Sequence, residues 1–194
     1  MLPRRELDAA LSEAKLIAVH GPWWRAVGLR HLLKTRAEPL WAGGAKIEGA
    51  RFTPKGGFDS LYLSPDPVTA LAEVNGLVML PTGPLPVQTP PLTLFAVHGI
   101  VTRVLDLTDA TTVSMLGTNP QELTGSWVKS AHPPTQSLAQ AAYDSGRVAA
   151  IQYTSAKWDG KKNLVVFPER LLGPGTDFLE VHDPYGNLAQ RIGE

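Results

Sequence analysis

The chain has 194 residues, in which 18 Lys and Arg balance 18 Asp and Glu, and it has no Cys. That length suits one domain, and 43% hydrophobic with 19% charged residues is the balance of a folded globular chain, not a disordered one. The neutral balance excludes a general electrostatic footprint for nucleic acid, and the missing cysteines exclude disulfides, thiol nucleophiles, iron–sulfur clusters and thiolate zinc sites.

Residues 5–16 read as the first helix, because Leu7, Ala10, Leu11 and Ala14 recur at helical spacing and form one apolar stripe. Glu6, Asp8 and Glu13 interrupt any signal-peptide core, and no apolar run approaches the ~18 residues of a membrane span, so a cytoplasmic protein is expected. Pro22 ends this region, and the aromatic-rich segment 23–29 predicts a short strand. A helical turn or two is expected around Leu32 and Leu33. Glycines at 43, 44, 49, 56 and 57 predict turns that let the backbone approach a ligand closely. Residues 61–64 read as a short buried strand. The next helix is written in its local chemistry: Asp66 caps it, Pro67 takes its first position, and Gly76 closes it after Asn75.

Five prolines between 81 and 91 predict an extended stretch with one or two edge-strand pieces. Residues 92–107 are β-branched and predict a strand with a bend at Gly99. Asn119-Pro120 and the residues after Pro134 start helices, and Gly146 stops an amphipathic one over 137–146. Two strands follow, 147–155 and 163–169, and then a hairpin around Asp183–Gly186. The fold class is therefore α+β: a bent, mixed, mostly antiparallel sheet flanked by helices, in a single domain spanning 1–194.

The common nucleotide loops GxGxxG and GxxxxGK[ST] are absent, as are HExxH, the calcium-loop pattern and GxSxG. The five histidines have no ligand spacing, so no metal site is expected. If the chain is an enzyme, its chemistry should rest on Arg, Glu, Tyr, Ser and Asn. Arg51 lies in the glycine-rich segment 49–57, where a guanidinium fork and nearby backbone amides suit a phosphate. Glu73 sits among Val68, Leu71, Ala72 and Val74, Tyr62 lies in a buried strand, and Ser155 ends another. Taken singly, each has a plain structural reading: a surface arginine, a solvent-stripe acid, a core tyrosine and a turn serine.

Taken in order, these segments resemble the RES family, named for its Arg, Glu and Ser. The segment around Arg51, the strand Tyr62 that follows it by 11 positions, the Ala-rich helix ending in Glu73 at 22 positions, and the late strand–Ser155–loop–Asn163–apolar–Pro168 run all match, over residues 23–170. Two positions depart: the family's Gly-Gly is Gly49-Ala50, and its Asn after the aromatic is Thr53. The methyl of Ala50 bears on how closely a pyrophosphate fits, and so on substrate preference.

The resemblance implies an ADP-ribosyltransferase-like fold. It also implies a toxin of a two-gene toxin–antitoxin system that breaks the nicotinamide–ribose bond of NAD+, as a glycohydrolase passing ADP-ribose to water or a phosphorylase passing it to inorganic phosphate. A protein ADP-ribosyltransferase is the alternative, and a non-catalytic binding module is a further one. NAD+ is then a substrate, with no resident cofactor. The implied partner is an Xre-type helix-turn-helix antitoxin, with a homodimer inside the toxin–antitoxin complex. Arg51, Tyr62, Glu73 and Ser155 are the implied catalytic residues; Arg25, Arg51, Tyr62 and Asn163 the implied ligand-binding ones. Arg30 competes with Arg25 for the second arginine. Arginines suit the pyrophosphate, Tyr62 can stack on cationic nicotinamide, and Glu73 can stabilise an oxocarbenium-like ribose. Ser155 is left to hydrogen-bond the ribose or the carboxamide.

Overall fold

The computed structural model describes residues 1–33, 37–128, 130–172 and 176–193. In chain order the first elements are α1 (Arg4–Glu13), β1 (Leu16–His20), β2 (Trp23–Gly28), α2 (Gly43–Glu48), β3 (Leu61–Leu63) and α3 (Pro67–Glu73). Then come β4 (Leu77–Leu80), β5 (Gly83–Pro86), β6 (Leu92–Asp106), α4 (Ala110–Met115), α5 (Pro120–Thr124) and α6 (Pro134–Asp144). The chain ends with β7 (Ala150–Thr154), β8 (Lys162–Val166), β9 (Phe178–Val181) and β10 (Arg191–Ile192). The α+β class and the mixed sheet are as expected. Among the described residues no helix is long and apolar enough to cross a membrane.

β6 organises the sheet. One of its edges pairs antiparallel with β2 over 92–97 and then with β1 over 100–105. Its other edge pairs antiparallel with β9 and then parallel with β7. The sheet continues from β7 to β8 to β3, all antiparallel, and β10 closes the far side against β9. Gly99 marks the changeover between partners, and a Cβ there would come within 2.1 Å of the Phe178 carbonyl oxygen. The close approach of the Phe178 carbonyl to position 99 therefore needs a residue without a side chain there. The final hairpin forms where Asp183–Gly186 predicts it.

Three expectations are corrected. The helix expected over 5–16 stops at Glu13, and Leu16–His20 is a strand, because its apolar run pairs with β6. The glycine segment expected as turns holds a short helix, Gly43–Glu48, and 110–115 adds another, capped by Asp109 through the Thr112 N–H at 2.8 Å. The turn expected around Leu32 appears as a 3₁₀ turn at Leu29–His31, and residues 34–36 lie outside those described.

Strand alternation divides the apolar residues between two cores. Ile151, Tyr153 and Val165 face a core built with Leu7 and Leu11 of α1 and Leu138 of α6. Ala150, Leu164 and Val166 face the other, with Leu61, Leu63, Val97 and Leu179. Cross-strand register then places the polar residues. Tyr62 lies opposite Val165, and Tyr153 opposite Asn163, so Tyr62, Tyr153 and Asn163 all project from one face of β3-β8-β7. Ser155, two residues beyond Tyr153, continues that face.

Candidate active site

The helix carrying Glu73 starts as its sequence dictates. The Asp66 carboxylate accepts the Thr69 N–H at 2.9 Å, and that backbone bond and Lys161 hold its pKa low against the opposing effect of burial. Its end departs from expectation: Asn75, at φ 57°, takes the left-handed position ahead of Gly76. The Asn75 side chain then accepts the Lys157 ammonium at 3.0 Å, tying the end of α3 to the loop after β7.

Glu73 lies half-buried on the wall of a cleft of about 460 Å³. Its Oε1 accepts two short hydrogen bonds, from Ser155 Oγ at 2.6 Å and from Asn163 Nδ2 at 2.6 Å. Ser155 Oγ in turn accepts the backbone N–H groups of Lys157 and Trp158, both at 3.1 Å. The serine hydroxyl is thus spent: its proton goes to Glu73 and its lone pairs to the loop. Ser155 is 3% exposed and Asn163 1%, so both sit beneath the carboxylate and orient it. Among the described residues nothing hydrogen-bonds Oε2. The arrangement is a carboxylate fixed by one oxygen with the other left for a ligand, which suits stabilisation of a developing positive charge.

Arg51 and Tyr62 form the neighbouring wall. The Tyr62 hydroxyl accepts the Phe52 N–H at 3.1 Å and shares a 2.9 Å bond with Thr53 Oγ1, which is itself 2.5 Å from Ser60 Oγ. Thr53, one of the two departures from the family pattern, is thus a buried junction of hydroxyls. Burial pushes the Tyr62 hydroxyl up to about 12, so it is neutral at physiological pH. Arg51 is half-buried and not simply a surface residue. Its Nη1 donates to the carbonyls of Leu123 at 2.9 Å and Gly125 at 2.7 Å, tying down the segment that brings Trp127 to the cleft. Nε and Nη2 have no acceptor among the described residues and remain for an anion.

Arg25 also lines this cleft. Its Nη2 donates to the Trp41 carbonyl at 2.9 Å, its Nη1 reaches the Tyr62 carbonyl at 3.5 Å, and its Nε is buried without a partner. Burial pulls it down to about 10, so it stays charged at neutral pH. Arg30 does not line this cleft; it lines an adjoining one. The geometry therefore brings together Arg25, Arg51, Tyr62 and Glu73 as wall residues, with Ser155 and Asn163 as supports below.

Tyr153 is a wall residue that escaped sequence reasoning. It is 4% exposed, packs against Phe52 with ring centroids 4.5 Å apart and the rings tilted by 53°, and borders the cleft beside Asn163 and Glu73. Burial, then the Glu73 carboxylate, raise its hydroxyl well above the usual tyrosine range, so it stays neutral at physiological pH. The available signal was strand alternation: 153 and 155 share a face, so a reading that selects Ser155 also selects Tyr153. Removing this hydroxyl with Tyr153→Phe is expected to lower turnover about 10-fold, the size of one lost hydrogen bond of about 1–1.5 kcal/mol. Steady-state kinetics with a melting curve checks this, and turnover within twofold of the parent refutes it.

The RES domain model matches residues 22–177 of this chain. The chain belongs to the RES domain family. A search of curated proteins gave no significant match. Among solved structures, this RES chain resembles one in the crystal structure of the M. tuberculosis MbcT–MbcA toxin–antitoxin complex, with a TM-score of 0.63 and 17% identity. The match covers 97% of this chain and 92% of that one, so the fold is shared almost end to end.

Proposed function

We propose that this RES protein is the toxin of a toxin–antitoxin pair and acts in the cytoplasm by cleaving the nicotinamide–ribose bond of NAD+. The observation that carries the reading is the Glu73 carboxylate, held at Oε1 by Ser155 and Asn163 in a cleft that two arginines share. The arginines take the pyrophosphate. The Tyr62 ring lies against the nicotinamide, an aromatic cation until it leaves. As the bond breaks, positive charge grows on the ribose, and Glu73 stabilises it more in the transition state than in the ground state. Ser155 and Asn163 act as positioning residues.

The partner on this reading is an Xre-type helix-turn-helix antitoxin. An acidic side chain or a chain terminus inserted between Arg25 and Arg51 would mimic the pyrophosphate and silence the cleft. Nicotinamide release from NAD+ by the purified protein tests the activity, and a parallel run in inorganic phosphate separates phosphorolysis from hydrolysis. ADP-ribose recovered only on protein would instead identify a transferase. No release under any of these conditions overturns the reading.

Arg51→Ala is expected to weaken NAD+ binding and to lower kcat/KM about 100-fold, since one preorganised charged partner is worth about 10²–10³ in rate. Two carbonyls also lose their donor, so a stability loss of about 1–3 kcal/mol accompanies it. Unchanged kcat/KM in a folded variant would remove Arg51 from the site.

A further inference from the structure

Glu73 is the last residue of α3, a helix of seven residues. So short a helix has little hold on its own direction, since isolated helices below ~12 residues are marginal in water. Groups outside the helix must set where its carboxylate points. Ser155 and Asn163 meet the carboxylate from below, and the chain between them is the loop that joins β7 to β8.

That loop holds α3 at both ends. At the start, Lys161 Nζ lies 3.0 Å from Oδ2 of Asp66, the residue that caps the helix. The same oxygen accepts the Thr69 hydroxyl at 2.9 Å, so it is held from the helix and from the loop at once. At the other end, Lys157 Nζ donates to Asn75 Oδ1 at 3.0 Å, two residues past Glu73. The loop is itself braced. The Ser155 N–H donates to the Lys161 carbonyl at 2.8 Å, and Ser155 Oγ accepts the N–H groups of Lys157 and Trp158. Lys161 Nζ also stands 4.8 Å from the centre of the Trp158 ring, a cation–π contact. Ser155 thus shapes the loop with its backbone and lone pairs and meets Glu73 with its proton, while the two lysines reach out to the helix that carries the acid.

We infer that the β7–β8 loop is a clamp that aims Glu73, with Lys157 and Lys161 as positioning residues that act through α3. This rests on Glu73 as the acting carboxylate. The Asp66–Lys161 pair is partly exposed, at 26% and 38%, and such pairs contribute little to overall stability. Their effect is on geometry, where a misplacement of about 1 Å can cost ~100-fold in rate. The clamp therefore predicts variants that fold normally and turn over slowly.

Two substitutions open it, one at each end: Lys161→Met and Asn75→Gly. Glycine takes the φ of 57° found at position 75 without strain and leaves the Lys157 side chain in place. Nicotinamide release from NAD+ by the full chain is measured beside amide exchange and thermal melting. Each single variant is expected to lower kcat about fivefold and the double variant about 25-fold, with KM within about twofold of the parent. Lys161→Arg, which keeps the charge beside Asp66, should restore kcat to within about twofold. The N–H groups of Ala70, Asn75 and Gly76, all bonded within α3 or at its end, should exchange about tenfold faster in the double variant. Its melting temperature should stay within about 4 °C of the parent. Unchanged kcat, or unchanged exchange in α3, overturns the clamp. So does a slow double variant whose amides exchange faster throughout the chain, which would mark general loosening. If the parent releases no nicotinamide, the proposed activity falls and exchange in α3 decides the clamp alone: faster exchange supports it and unchanged exchange overturns it.

Discussion

Glu73→Gln is expected to lower the rate of nicotinamide release about 10²–10³-fold while NAD+ affinity stays within a few-fold. Glutamine keeps the length of the side chain and can still accept from Ser155 Oγ and Asn163 Nδ2, both 2.6 Å from Oε1. What it removes is the charge that an oxocarbenium-like ribose needs. A loss confined to kcat is the signature of an interaction made only in the transition state. Single-turnover rates set beside equilibrium binding check it, and equal losses in affinity and rate would make Glu73 a binding residue. Ser155→Ala and Asn163→Ala should each act in the same direction. Because both donors serve one oxygen, the double variant should lose less than the sum of the two single losses.

Asp177→Ala is expected to destabilise the protein by about 3–5 kcal/mol, the range for breaking a buried charged partner. The Asp177 side chain is fully buried. It accepts the Thr102 N–H at 2.7 Å, the Thr102 hydroxyl at 2.8 Å and the Leu172 N–H at 3.3 Å, and Arg103 Nε lies 4.0 Å away. Alanine leaves all of these buried donors without an acceptor. For a chain of this size the melting temperature should fall by about 10 °C or more. A fall of under 3 °C in a thermal scan would show that water replaces the carboxylate. Asp177→Asn, which retains an oxygen, should fall between the two.

The elements legible in the sequence are those whose signals are local. The Asp66-Pro67 start of α3 is a capping rule, and the Asp183–Gly186 turn is a hairpin rule; both need only neighbouring residues. β1 was hidden because Leu16–Val19 is apolar enough to continue a helix, and only pairing with β6 decides that it is extended. α2 was hidden because two glycines open it, and glycine votes for turns. The same contrast runs through the site. Arg51, Tyr62 and Glu73 were found through their order and spacing, and all three reach one cleft. The supporting part of Ser155 and Asn163 is a matter of hydrogen bonds spanning 82 and 90 positions, which no local pattern encodes. Arg51's hold on Leu123 and Gly125 spans 72 and 74 positions and was hidden for the same reason.

The order in which a ribosome delivers this chain gives the Glu73 cluster a timing of its own. Glu73 itself emerges early, but its two donors come from residues 155 and 163, and β3, which carries Tyr62, finds its partner strand only in Lys162–Val166. At roughly 5–20 residues per second, the acid waits several seconds for the groups that aim it. A growing chain therefore holds Arg25, Arg51, Tyr62 and Glu73 well before it holds a cleft. A chain cut short between Glu73 and β8 carries the acid and both arginines yet lacks Asn163 and the partner strand of β3, so aborted synthesis there leaves fragments without the site. The cell meets the finished arrangement only after β8 has been made.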